Sequence, residues 1–107
     1  MNYQLAPISP GCKPQKTDLT EFAELAESEP AEIVAFFTSD LAAANRVLGQ
    51  SYDKRYSPST FVEEAEGGYR VGWFEGGRKH MRRFAGLPEA AADYLLFSFG
   101  RGRLEVM

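Results

Sequence analysis

A chain of 107 residues, 44% hydrophobic and with eight Phe, five Tyr and one Trp, has the apolar surface for one folded core. That composition excludes a disordered chain and leaves too little for two independently stable domains, so residues 1–107 are expected to form one domain. A single cysteine, Cys12, excludes an intrachain disulfide, and a net charge of −3 argues against bulk binding of nucleic acid.

Taken in chain order, residues 1–16 are expected to be irregular. Pro7, Pro10 and Pro14, with Gly11, interrupt a helix and remove amide donors that a central strand needs. Nothing there has the apolar core of a secretory signal, and the longest apolar run, residues 90–99, falls short of the ~20 residues that span a bilayer. With the lone thiol, this predicts a soluble, cytoplasmic protein with no membrane partner.

Pro30 divides the region that follows. Before it, Leu19, Phe22, Ala23 and Ala26 recur at helical spacing, with Thr17 as N-cap and acids on the opposite side. After it, Pro30 suits the first turn of a second helix over residues 31–37. Ser39 or Asp40 caps a third over residues 41–48, closed by Gly49; one continuous helix over 31–48 is the alternative.

The character changes at Tyr52. Strand-like runs at 59–65, 69–74 and 78–84 are separated by Gly67-Gly68 and Gly76-Gly77, which supply the backbone freedom of tight hairpins. This predicts a three-stranded antiparallel meander in which Tyr69, Val71 and Trp73 share the face toward the core. Gly86-Leu87-Pro88 then opens a last helix over residues 89–99, apolar nearly all round and ended by Gly100. The expected fold is α+β: N-terminal helices, the meander, and a C-terminal helix packed on the sheet.

Charge is split between the halves. Residues 17–50 hold seven acids and one base, Arg46, whereas residues 67–86 hold five bases and one acid, Glu75. The acids Asp18, Glu21, Glu24 and Glu27, with Glu29 and Glu32 beyond them, form a negative helical face. Such a face either is merely solvated or occupies a basic cleft in place of substrate phosphates. Glu63, Glu64 and Glu66 on the first strand of the meander, with Glu75 beside the second turn, offer further negative surface.

The basic run from Arg78 to Arg83, beside Tyr69, Trp73 and Phe74, has the residue types that hold a nucleic-acid backbone and stack on bases. Alternation along a strand sends those bases to both faces, however, and charges also guard an exposed edge against aggregation. Arg101 and Arg103 add to the positive total in the tail. His80, the only histidine, needs a second titrating group to act as acid or base, and Glu75 or Glu64 are the candidates. One histidine and one distant cysteine show no metal-ligand spacing, so neither a catalytic site nor a cofactor is expected.

From Tyr52 onward the chain reads Tyr-Asp-Lys-Arg-Tyr-Ser-Pro-Ser-Thr-Phe-Val-Glu-Glu. It continues with Gly-Tyr-Arg-Val-Gly-Trp-Phe, then Leu-Pro-Glu-Ala-Ala-Ala-Asp-Tyr-Leu-Leu-Phe-Ser-Phe-Gly-Arg-Gly-Arg. Over about half its length this resembles the small immunity proteins encoded beside bacterial polymorphic toxins, particularly those of contact-dependent growth inhibition. The resemblance implies a cytosolic, non-enzymatic protein that binds a cognate toxin domain, often a nuclease, and blocks it. It carries over no site residue, so the expected interface rests on charge: Asp18, Glu21, Glu24, Glu27, Glu63, Glu64, Glu66 and Glu75. The competing expectation is a small nucleic-acid-binding regulator that uses the basic hairpin.

Overall fold

The structure, a computed structural model, describes residues 2–7, 19–51, 60–75 and 78–107. It is α+β, with three α-helices and two antiparallel sheets of two and three strands among those residues. Thr17, Asp18 and the Gly76-Gly77 turn lie outside the described residues.

Pro30 decides the architecture of the acidic region. It carries no amide hydrogen, so the Ala26 carbonyl has no donor four residues on, and it holds Glu29 extended, with ψ 146°. The stretch before it does not form the expected α-helix. It makes two 3-10 turns, Thr20–Phe22 and Leu25–Glu27, which still turn Leu19, Phe22 and Ala26 inward. Ala23, expected on the same side, is exposed.

Proline at the first position then starts α1, Pro30–Ser39, which buries Pro30, Ile33, Val34 and Phe37 at helical spacing. Asp40 ends α1 and begins α2, Leu41–Ser51: its N–H donates to Phe36, and its Oδ1 accepts from Ala43 N at 3.1 Å. This aspartate cap breaks what would otherwise be one continuous helix. Gly49 does not close α2, which runs two residues further.

The meander matches its expected strands closely. β2, Thr60–Ala65, pairs with β3, Gly68–Glu75, and β3 pairs with β4, Arg78–Phe84, all antiparallel. Gly67 supplies the positive φ of 79° in the first turn. Val62 and Val71 pair across strands and are fully buried. The side chain of Trp73 lies outside what is described.

α3, Leu87–Ser98, is the centre of the molecule. It packs against α1 and α2 on one side and touches all three strands of the meander on the other. Tyr94, Leu95, Leu96 and Phe97 are essentially inaccessible to water, and each such side chain contributes about 1.5–3 kcal/mol relative to exposure.

Two findings correct the expected ends of the chain. Residues 3–6 are not irregular: β1, Tyr3–Ala6, pairs with β5, Arg103–Val106, across nearly the whole length of the chain. The last helix is accordingly not the last element. Gly102, with φ 146°, lets β5 begin hard against β1, where a Cβ would run into the Ala6 carbonyl oxygen. The Tyr3 side chain also reaches α3 through the Glu89 carboxylate; burial first, then that charge and hydrogen bond, raise its phenol above the ordinary value.

Candidate functional site

The negative surface is built on the 3-10 turns and the start of α1. Glu21, Glu24, Glu27, Glu29 and Glu32 are all exposed, and no base occurs between residues 19 and 39. Glu21 is the exception in having a partner: Arg46 Nε lies 3.2 Å from its Oε1, with both side chains about half exposed. Among the described residues no cation pairs with Glu24, Glu27, Glu29 or Glu32.

This surface is held from below. The guanidinium of Arg101 donates to the carbonyls of Ala26, at 2.8 Å, and Ser28, at 2.7 Å. It thereby replaces the amide that Pro30 lacks. The chain between Glu24 and Glu29 is thus pinned at the two carbonyls that the broken helix leaves open, and its carboxylates project from a fixed backbone.

An aromatic group borders the acids. Phe22, Phe36 and Phe37 meet edge to face at centroid distances of 5.5–6.5 Å, and Arg46 lies over Phe22 at 5.8 Å. Phe36 is 38% exposed, one helical turn after Glu32 on α1. The Phe36 ring is thus held by two others while part of it stays open to solvent beside the acids.

The basic half is different, because the fold takes up much of it. Asp93, fully buried on α3, accepts from Arg103 Nη2 at 2.6 Å and Nε at 3.2 Å, from Arg82 Nη1 at 3.2 Å, and from the Leu104 amide at 2.8 Å. Arg82 also donates to the Leu104 carbonyl, and Arg103 lies over the Phe97 ring at 4.6 Å. One carboxylate thereby joins β4, α3 and β5. The sequence showed Arg82 and Arg103 as parts of a positive surface and Asp93 as an interruption of an apolar helix; the three are a single internal cluster.

The remaining expected acids do not converge. On β2, Glu63 is half-buried and pairs with Arg70 at 2.5 Å, Glu64 is exposed, and Glu66 is exposed in the turn. The Glu75 side chain lies outside the described set. His80 sits on β4 opposite Trp73, which in turn pairs with Thr60. Glu64 belongs to the Tyr69 row, four residues along β2 from Thr60 and so ~13 Å away along the strand, which removes it as a partner of His80.

A pocket of about 190 Å³ opens at the β2–β3 turn, lined by Glu66, Tyr69, Arg83 and Phe84 among others. It holds no nucleophile paired with a base. Among the described residues no three His, Cys, Asp or Glu side chains are placed to hold a metal ion, and no helix is long and apolar enough to cross a membrane. Comparisons with protein-family models, with curated proteins and with solved structures give no match.

Proposed function

We propose that this protein acts without catalysis, as a stoichiometric binder that neutralises a cognate toxin domain in the cytosol of the cell that carries it. The class of target is a nuclease with a basic cleft. The observation that carries the reading is the acidic platform: Glu24, Glu27 and Glu29 exposed beside the two carbonyls that Arg101 ties down, with Glu32 exposed in the first turn of α1. Carboxylates carried on a backbone that is held before the encounter occupy the positions of substrate phosphates and attract a positive cleft from a distance.

Within this reading the interface narrows. Glu21 through Glu32 form its centre, Phe36 its apolar anchor, and Asp18 its continuation in the sequence. Glu64 and Glu66 are a separate negative spot, and the charge of Glu63 is compensated by Arg70. The resemblance of residues 52–103 to immunity proteins supports the same assignment.

The test is affinity capture with the full-length tagged chain from its native strain, followed by assay of the captured partner. The expected partner is a nuclease-type toxin domain inhibited at one-to-one stoichiometry. Its association should slow as salt rises, because exposed charges are screened beyond ~8 Å at physiological ionic strength. Capture of no toxin domain, or a captured one that stays active at equal stoichiometry, rejects the proposal.

A further inference from the structure

The meander has a second face, opposite α3. Alternation sorts the basic run between the two sides. Arg82, in the row of Val71 and Val62, turns inward to Asp93; Arg83 and Lys79 take the opposite parity and are exposed. β3 adds Arg70 to that outer side, with its side chain about 30% exposed, and Met81 between the β4 cations is 45% exposed.

The charge on this face is unbalanced in a specific way. Glu63, Arg70 and Arg83 form one row across the three strands. Two guanidinium groups therefore stand on neighbouring strands with one carboxylate between the three residues, and Arg70 is the one paired with it. Like charges directly opposite across a sheet cost stability unless an anion compensates them. Arg70 Nε, moreover, is buried and has no acceptor among the described residues. The adjacent rows carry Phe61 with Gly72 and Met81, and Phe74 with Lys79.

We infer that this outer sheet face binds the sugar–phosphate backbone of single-stranded nucleic acid, with Arg70, Lys79 and Arg83 as the phosphate contacts. Lys79 and Arg83 are four residues apart on one strand, a span of ~13 Å, and strands lie ~4.8 Å apart, so the cations cover a short, flat patch. Such a patch follows a few consecutive phosphates of one strand; it offers no projecting helix or ribbon to enter a duplex groove. Binding should be weak and indifferent to sequence, because backbone contacts position without reading bases. This site is separate from the acidic platform and does not depend on it.

The experiment is fluorescence anisotropy of a labelled oligothymidylate of about twelve nucleotides titrated with the full-length chain. Dissociation constants in the micromolar range are expected at low salt. With three phosphates neutralised at ~0.7 counterions each, affinity should fall roughly 20-fold between 50 and 200 mM salt. Arg83→Glu and Lys79→Glu should each weaken binding about 10-fold or more with an unchanged melt, whereas Arg78→Glu, the same charge change on the other parity of β4, should alter it by less than about 2-fold.

Three outcomes overturn the inference. One is the absence of binding by the wild type up to about 100 µM, the weak limit of non-specific affinity. Another is equal weakening by Arg78→Glu, which would reduce the effect to net charge. The last is equal competition by polyglutamate of similar length, which would assign the face to an acidic protein.

Discussion

The acidic and basic regions look like mirror images in the sequence, yet the fold treats them in opposite ways. Between Leu19 and Ser39 the carboxylates stay at the surface, and four of the five meet no cation among the described residues. Between Arg70 and Arg103 the fold takes up several cations, Arg82 and Arg103 at Asp93 and Arg101 at two carbonyls, while Arg70 pairs with Glu63 on the outer sheet face and Arg78, Lys79 and Arg83 stay exposed. The reason lies in the side chains. Arginine has a long apolar stem and five donors, so it can cross an interior and satisfy several acceptors, whereas a short glutamate on a turn has nowhere to go but solvent. Charge that remains exposed is available for a partner, and charge that is internal holds the fold.

The largest expected effect breaks the internal side. Asp93→Ala strands two guanidinium groups and the Leu104 amide, and removing one partner of such a buried pair costs about 3–5 kcal/mol. That is a large share of the 5–15 kcal/mol of a typical domain, so urea or thermal denaturation should find the variant far less stable or unfolded. A melt within a few degrees of wild type would mean that the cluster is not what joins the two sheets.

Arg101→Ala probes the link between the regions. It removes charged donors from the Ala26 and Ser28 carbonyls, at about 1.5–3 kcal/mol for a charge-assisted bond. Amide exchange should accelerate first in residues 20–28, ahead of α3. Uniform acceleration would show that Arg101 supports the whole domain rather than the acidic segment.

The smallest effect is expected on the exposed side. Replacing Glu24, Glu27, Glu29 and Glu32 together by Gln should leave the melt within about 0.5 kcal/mol of wild type at each site, since nothing in the fold depends on these side chains. The same variant should associate more slowly with the toxin domain proposed above as partner. Stability lost with the charge would turn the platform into a structural feature and erase the contrast with the basic half.

Legibility followed the range of the interactions. The meander was readable from paired glycines between alternating runs, and α1, α2 and α3 from spacing, Pro30, Asp40 and Pro88, because each of those signals acts within a few residues. The acidic stretch misled: Leu19, Phe22 and Ala26 do point one way, but two 3-10 turns bury them as well as an α-helix would, so their spacing does not tell the two apart. β1 was hidden because four residues of ordinary composition become a strand only when Arg103–Val106 returns to pair with them. His80 and Glu64 could be joined on paper, but the strand register places them in different rows.

What the sequence determined by itself is thus the set of local elements, the apolar faces that bury them, and the exposure of the glutamates around Pro30. These follow from backbone sterics, periodicity and hydration, which operate over one or two turns of chain. Only the tertiary structure decided the fate of the arginines, the closing of the two chain ends into one sheet, and the sorting of Arg82 from Arg83 onto opposite sides of β4. Those outcomes depend on which acceptor reaches which guanidinium across ten to seventy-five residues of sequence, and the partner is known only once the chain has folded around it.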